Sequence, residues 1–226
     1  MGNSPTPLAE RVAVLAGATG LIGRVLLGLV LDSTHYARVH VLLRRPAPDL
    51  PQHPKLQRHV VDFDHLPALP PVDDAFITLG TTIKVAGSQA AFRRVDFDAV
   101  LNTARAAQSA GAKRLVVVSA LGADASSRVF YNRVKGEMQH AVSELGIETV
   151  VFMQPSLLLG DRAALGQPVR RGEVWAMTLL RPVLGWVPSS VRPIGAGDVA
   201  HAMLDAALHA RPGVSVVSSA QMQRQQ

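Results

Sequence analysis

Apolar residues along the chain fall into short unbroken runs, separated by longer stretches in which they recur every three or four positions. The runs are Arg11–Ala16 (RVAVLA), Val39–Leu43 (VHVLL), Gln57–Val61, Asp74–Leu79 (DAFITL), Arg114–Val118 (RLVVV) and Ile147–Phe152 (IETVVF). Each is β-rich, short and bounded by Gly, Pro or charged residues, so each is predicted to be a strand. The stretches Leu21–Leu31, Gln89–Ala110 and Phe130–Leu145 are predicted to be helices, the last two stopped by Gly111 and Gly146. Asp198–Ala210 is predicted as a further helix N-capped near Gly197 and Asp198, and Val214–Val217 as a last strand before a frayed QMQRQQ tail. Continuous rather than alternating apolar strands imply a sheet covered on both faces. With helices between them, they imply an α/β fold with a doubly wound parallel sheet.

Length and composition narrow the class. A chain of 226 residues suits a single domain. The expected parts are a nucleotide-binding core at 11–153, a small Pro- and Gly-rich cap at 154–195, and a C-terminal helix, strand and tail at 196–226. Hydrophobic residues at 48% and charged residues at 18% mark a globular chain. The absence of cysteine removes disulfides, thiolate metal sites and cysteine nucleophiles. The polar start MGNSPTPLAERV lacks the pattern of a secretory signal, and no apolar run reaches the ~20 residues of a spanning helix. A cytoplasmic protein without a transmembrane segment is expected. The net charge of +6 comes from scattered basic residues, and only 4% of residues are aromatic. No nucleic-acid partner is therefore expected; the charge suits solubility and a small anionic ligand.

The first strand runs into Gly17-Ala18-Thr19-Gly20-Leu21-Ile22-Gly23 and then into a helix. In that context the glycines have mechanical roles: Gly17 for the tight turn, Gly20 for close approach of a pyrophosphate, Gly23 for helix–strand packing. The helix N-terminus supplies N–H groups to the phosphates. The fold class is therefore Rossmann-like. A site for NAD(H) usually ends its second strand with a carboxylate that holds the ribose 2′-hydroxyl. Here Arg44 and Arg45 stand there, and a guanidinium pairs with a 2′-phosphate, so NADP(H) is the expected cofactor.

Tyr131 and Lys135 lie four apart on a predicted helix and share one face. An ammonium beside a phenol favours the phenolate. The pair can exchange the carbonyl or alcohol proton through the tyrosine while the lysine binds the nicotinamide ribose. Ser119, at the end of the fifth strand, is the candidate to orient or polarise a substrate oxygen.

GATGLIG, Ser119 and Tyr131-Asn132-Arg133-Val134-Lys135 together resemble a short-chain dehydrogenase/reductase of the extended or atypical kind. Leu79-Gly80-Thr81-Thr82, Ala86-Gly87, Arg94-Val95-Asp96, Gly122-Ala123-Asp124 and Val134-Lys135-Gly136-Glu137 resemble the Tat-interacting-protein-like oxidoreductases. The resemblance covers residues 11 to 162. It implies that Thr19, Leu21 and Ile22 line the pyrophosphate turn and that Asp62 and Phe63 sit by the adenine. It places Leu79, Gly80, Thr81 and Thr82 along the adenine ribose and cofactor centre, and Pro155, Ser156 and Leu157 near the nicotinamide. Asp161-Arg162 also matches. Relatives often carry a second serine where this chain has Ala120, and some are NADP(H)-binding regulators rather than enzymes.

The eight histidines show no metal-ligand spacing, so no metal is expected. Asp62/Asp64 and Asp73/Asp74 read as strand-end and turn residues. The segment 174–188, with Trp175 and Trp186, reads as a cap helix, with a lipophilic lid, dimer face or membrane-surface contact as sharper alternatives. Two functions follow: an NADPH-dependent oxidoreductase acting on a small carbonyl or alcohol substrate, or an NADP(H)-sensing protein that regulates a protein partner.

Overall fold

The structure is a computed structural model describing residues 11–159 and 192–223. Its strands are β1 (Arg11–Ala16), β2 (Tyr36–Leu43), β3 (Leu56–Val60), β4 (Asp74–Ile77), β5 (Arg114–Val118), β6 (Thr149–Gln154), β7 (Leu158–Leu159), β8 (Ile194–Gly195) and β9 (Gly213–Ser218). Its helices are α1 (Leu21–Asp32), α2 (Ile83–Ala86), α3 (Gln89–Arg93), α4 (Ala99–Ser109), α5 (Phe130–Ser143), α6 (Ala196–His209) and α7 (Ser219–Met222), with a π-helical turn at Arg94–Asp98 between α3 and α4. Seven strands form one parallel sheet in the order β3-β2-β1-β4-β5-β6-β9, and β7 pairs with β8 in a small parallel ribbon. This is the doubly wound Rossmann-like fold. The order reverses between β1 and β4, and that switch point opens a crevice at the carboxyl ends of the strands.

Two apolar layers sandwich the sheet. On one face, Ala13 and Leu15 of β1 pack with Leu26, Leu27 and Val30 of α1 and with Val199, Met203 and Ala207 of α6. On the other, Val14 and Ala16 of the same strand pack with Val100, Ala104 and Ala107 of α4 and Met138 and Val142 of α5. Successive strand residues point to opposite faces, so a strand buried on both sides must be apolar throughout.

Several boundaries differ from expectation. The helix predicted over Gln89–Ala110 contains the π turn, which turns Asp96 inward. The strand predicted to reach Leu79 ends at Ile77, because the chain bends to set Thr78 behind the glycine turn. The C-terminal helix starts at Ala196, its first turn closed by Gly195 N–H donating to the Asp198 carboxylate at 3.1 Å. The tail is not wholly frayed: α7 forms there, and Met222 is buried in the α1/α6 layer. Most of the cap, including Trp175, Trp186, Asp161 and Arg162, lies outside the described residues.

At the opposite end of the sheet from the crevice, Asp74 accepts from the Tyr36 hydroxyl at 2.6 Å and pairs with Arg11, which also donates to the Ala207 carbonyl. Burial, with Asp74 beside it, holds the Tyr36 phenol far above its ordinary range; burial also raises the Asp74 carboxyl against the pull of these partners. The cluster ties β1, β2, β4 and α6 together.

His40, 2% exposed, lies 2.9 Å from His59 across β2 and β3. Burial first, then His59 and Arg38, holds its imidazole below the ordinary 6.5. The unfolded chain therefore takes up a proton that the folded chain refuses. Stability contributed by this site is full above pH ~6.5 and declines as the pH falls toward the depressed folded value, by at most about 1.4 kcal/mol per pH unit. Urea melts at about pH 7.5 and 5.5 should show a larger acid loss in wild type than in His40→Leu. Equal losses would mean that His40 does not carry it.

Candidate active site

The glycine turn sits at the carboxyl end of β1, against the switch point. Gly17 has φ +96°, a conformation that favours glycine, and a side chain there would strike Thr78. A side chain at Gly23 would strike the Gly17 carbonyl, so α1 can press onto the turn only without one. Gly20 caps α1 and has no side chain to fold back over the first-turn amides, and no acidic residue occupies that turn. The helix end therefore offers amides and a favourable dipole to an anion, which fits a pyrophosphate. Thr19 is exposed at the tip, Leu21 is half-buried and Ile22 is buried.

Arg44 and Arg45 follow β2 directly, and both are exposed. Arg24, in the first turns of α1, reaches toward the same loop: it pairs with Asp49 and lies 3.4 Å from the Thr19 carbonyl. That bond and a backbone amide hold the Asp49 carboxyl below its usual range. Asp62 and Phe63 follow β3. The Asp62 carboxylate accepts the Asp64 N–H at 2.9 Å and faces His65, and both contacts lower its carboxyl. Phe63 is half-buried against the α4 layer, with its carbonyl held by Asn102 at 3.0 Å.

Beyond β4, Leu79 to Thr82 wrap the end of the strand. Thr82 caps α2 by accepting from the Val85 N–H. The Thr81 N–H donates to the Asp96 carboxylate at 2.9 Å, and the other oxygen of that carboxylate is 2.7 Å from the Lys135 Nζ. Both charged side chains are almost fully buried, at 3% and 1% exposed for Lys135 and Asp96. A side chain on Gly80 would meet Asp96 at 3.4 Å and the Lys135 Nζ at 3.9 Å. The ion pair thus lies directly beneath Gly80. Tyr131, one turn earlier on α5, is half-buried with its ring 5.3 Å from that of Phe92.

Asp96 was not among the residues singled out by chemistry, although a signal was present. Phe92, Asp96 and Val100 are spaced by four, and all three are buried. A carboxylate on the apolar stripe of a helix needs a partner there.

The loop before α5 is built onto the helix. The Asp124 N–H donates to the Asn132 carbonyl, and the Asp124 carboxylate accepts the N–H and hydroxyl of Ser126, which lower its carboxyl. Gly136 makes the seating possible: a Cβ there would overlap the backbone of Asp124 and Ala125. Gly136→Ala should therefore destabilise the fold by about 2 kcal/mol through overpacking, even though alanine is the better helix former by up to about 1 kcal/mol. A thermal melt should show a loss of several degrees. Equal or greater stability in the variant would contradict the contact.

The hydrogen-bond partner of the Ser119 hydroxyl is Gln139 and not Tyr131. Ser119 is buried and accepts from Gln139 Nε2 at 2.6 Å, and Gln139 lies two helical turns beyond Tyr131 on α5. Gln139 in turn is 3.4 Å from Gln154 Nε2. Ala120 is 7% exposed. After β6, Pro155 is buried and Leu157 exposed. The Ser156 hydroxyl is taken by the Arg192 carbonyl and Ser219, which ties this loop to the C-terminal residues. Among the described residues no group of three or more His, Asp or Glu could hold a metal, and no helix is long and apolar enough to cross a membrane.

A family profile described as NAD(P)H-binding matches residues 17–148. HTATIP2 of Rattus norvegicus is 36% identical over 188 residues, 81% of this chain and 74% of its own. The mitochondrial protein FMP52 of Coccidioides immitis is 35% identical over 163 residues, 66% of each chain. A solved structure of MoeE5 in complex with UDP-glucose and NAD shares the fold, with a TM-score of 0.67 at 18% identity over 93% of this chain and 79% of that one. The expectation of a cytoplasmic protein is overturned here, since FMP52 proteins at 35% and 34% identity are named mitochondrial. Compartment leaves little mark on a folded core, which is why composition misled. The profile match, the relatives and the glycine turn together show that this chain belongs to the NAD(P)H-binding, atypical short-chain dehydrogenase/reductase family that includes HTATIP2 and FMP52.

Proposed function

We propose that the protein is an NADP(H)-dependent oxidoreductase acting on a small carbonyl or alcohol substrate. The observation that carries this reading is the placement of Lys135 directly beneath Gly80 with Tyr131 one turn away on α5. A bound nicotinamide supplies the hydride. The chain's own residues do the rest. The amides of α1 receive the pyrophosphate, and Arg44 and Arg45 receive the 2′-phosphate. Leu79 to Thr82 border the ribose and cofactor centre, and Pro155 to Leu157 border the nicotinamide. Lys135 holds the ribose and keeps positive charge near the phenol. Tyr131 gives its hydroxyl proton to the substrate oxygen in reduction and takes it back in oxidation.

The test is turnover. Purified protein is assayed with NADPH against a panel of aldehydes and ketones, and the Tyr131→Phe variant is assayed beside it. Thermal shifts with NADPH and NADH establish binding first, because a ligand of the folded state raises the melting point by mass action.

A second reading draws on Ser119 and Ala120. The Ser119 oxygen accepts from Gln139 and an apolar methyl stands at position 120, so this loop offers a substrate oxygen a single hydroxyl donor, that of Ser119. That favours a protein that binds NADP(H) and signals its state to a protein partner. Tight cofactor binding without turnover on any substrate, together with partner affinity that changes with cofactor, would support it.

A further inference from the structure

We propose that the substrate of this site is a lipophilic carbonyl or alcohol, its apolar body lying along a rim formed by Val85, Leu121, Val129 and Leu157; this rests on the oxidoreductase reading given above and names its substrate class. Among the described residues eight large hydrophobic side chains are exposed. Four of them are these, each on a separate segment and 38% to 65% exposed. Val85 is on α2, which follows β4; Leu121 follows β5; Val129 caps α5; and Leu157 follows β6. All four therefore stand at the carboxyl edge of the sheet, where an open α/β fold keeps its ligands. The others, Val25, Val60, Val214 and Val216, are spread over α1, β3 and β9.

Short contacts join the four segments around Tyr131. The Leu121 N–H donates to the Pro155 carbonyl at 3.0 Å, which sets the loops of Leu121 and Leu157 side by side. A Cβ on Gly122 would come within 3.1 Å of the Asn132 amide nitrogen, so the Leu121 loop rests on the first turn of α5, next to Tyr131. Val129 is two residues before that tyrosine. Phe92 of α3, reached from α2 through Gly87 and Ser88, has its ring 5.3 Å from that of Tyr131.

The polar groups of these segments are turned to one another. Thr82 Oγ1 accepts the Val85 N–H, and the Ser127 hydroxyl accepts the Val129 N–H, both at 3.2 Å. Asp124 takes the N–H and hydroxyl of Ser126, and Ser156 is bonded to the Arg192 carbonyl and to Ser219. Lys84 and Arg128 are exposed, and each is next to a valine of the rim. Long cationic side chains lay their stems along apolar surface and keep only the head in water, so they extend the rim. A substrate rich in hydroxyls would find the polar groups engaged and leave its own unpaired, whereas an alkyl or ring system would cover the four side chains. Exposed apolar side chains gathered at one place mark a surface that a ligand or partner covers.

Primary alkanamides test this on the full chain, because they present a carbonyl oxygen and an alkyl tail but accept no hydride. Dissociation constants for propanamide through nonanamide are measured by calorimetry on wild type, Val85→Ser/Val129→Ser and Val214→Ser, each saturated with NADPH (or NADH, if that binds more tightly). Serine at 129 suits a helix cap where valine makes no side-chain bond, so the double variant should melt within a few degrees of wild type. We expect binding to tighten about two- to fourfold per added methylene in wild type and in Val214→Ser, and less than about 1.5-fold in the double variant. If the double variant does not fold, Val129→Ser alone replaces it and should still lower the gain per methylene. No gain with chain length, an unchanged gain in the rim variant, or tighter binding of UDP-glucose than of nonanamide overturns the proposal. A wild type that binds the longer amides but does not reduce nonanal keeps the apolar site and loses the reaction. One that binds neither dinucleotide loses the cofactor reading, and the same titration on the free protein then decides the rim.

Discussion

Tyr131→Phe should lower kcat by about 10²- to 10⁴-fold while leaving the affinity for NADPH within about twofold. The asymmetry follows from geometry. In the proposed reaction the phenol moves a proton, while the glycine turn, the arginines and Lys135 hold the dinucleotide. The substitution keeps the ring, whose packing against Phe92 continues unchanged, so the melting point should move little. Absorbance at the nicotinamide band, followed with saturating cofactor and any accepted carbonyl, measures the loss. Turnover that survives the substitution would remove Tyr131 from the chemistry. A wild type with no turnover would favour the sensor reading, and the variant would then bind cofactor as the parent does.

The second large effect concerns the choice of dinucleotide. Arg44→Ala/Arg45→Ala should weaken NADPH by about 100-fold and NADH by little, because a charge-assisted bond to a phosphate contributes about 1.5–3 kcal/mol and only NADPH carries the 2′-phosphate. Both arginines are exposed, so the preference should shrink as salt is added and the charges are screened. Asp49, the carboxylate of the same loop, is engaged by Arg24 and so repels an incoming phosphate less than a free carboxylate would. Calorimetric titrations at low and high ionic strength decide the matter. Equal losses for the two dinucleotides would contradict a 2′-phosphate role.

The layers of the fold were legible because burial on two sides leaves an unmistakable trace. RVAVLA and RLVVV cannot be surface strands, and both span β1 and β5 as expected. The glycine turn was legible for a steric reason: Gly17 and Gly23 stand where the backbone of Thr78 and the carbonyl of Gly17 leave no room for a side chain. Other features depend on contacts distant in sequence. Asp96 gains its meaning from Lys135, which lies 2.7 Å away yet far along the chain. Ser119 reads as a site residue by position, but its oxygen accepts from Gln139, a partner that no local pattern announces. Met222 looked like part of a polar tail, and only the layer of α1 and α6 makes it a core residue. The spacing of Tyr131 and Lys135 was visible; the fact that Lys135 is buried under a glycine was not.

The π turn also carries an arithmetic consequence. Because Arg94–Asp98 holds one residue more than an α-helical turn, the segments before and after it keep different angular phases about a shared axis. Deleting a single residue there would restore an unbroken ladder and bring Gln89 to Ser109 into one regular helix. That shorter chain would satisfy helix formation better and lose the buried ion pair, since the carboxylate would swing by roughly a quarter turn away from Lys135. In this segment, local regularity and the placement of a charge are opposed. Length, which most loops tolerate freely, is here as constrained as any side chain.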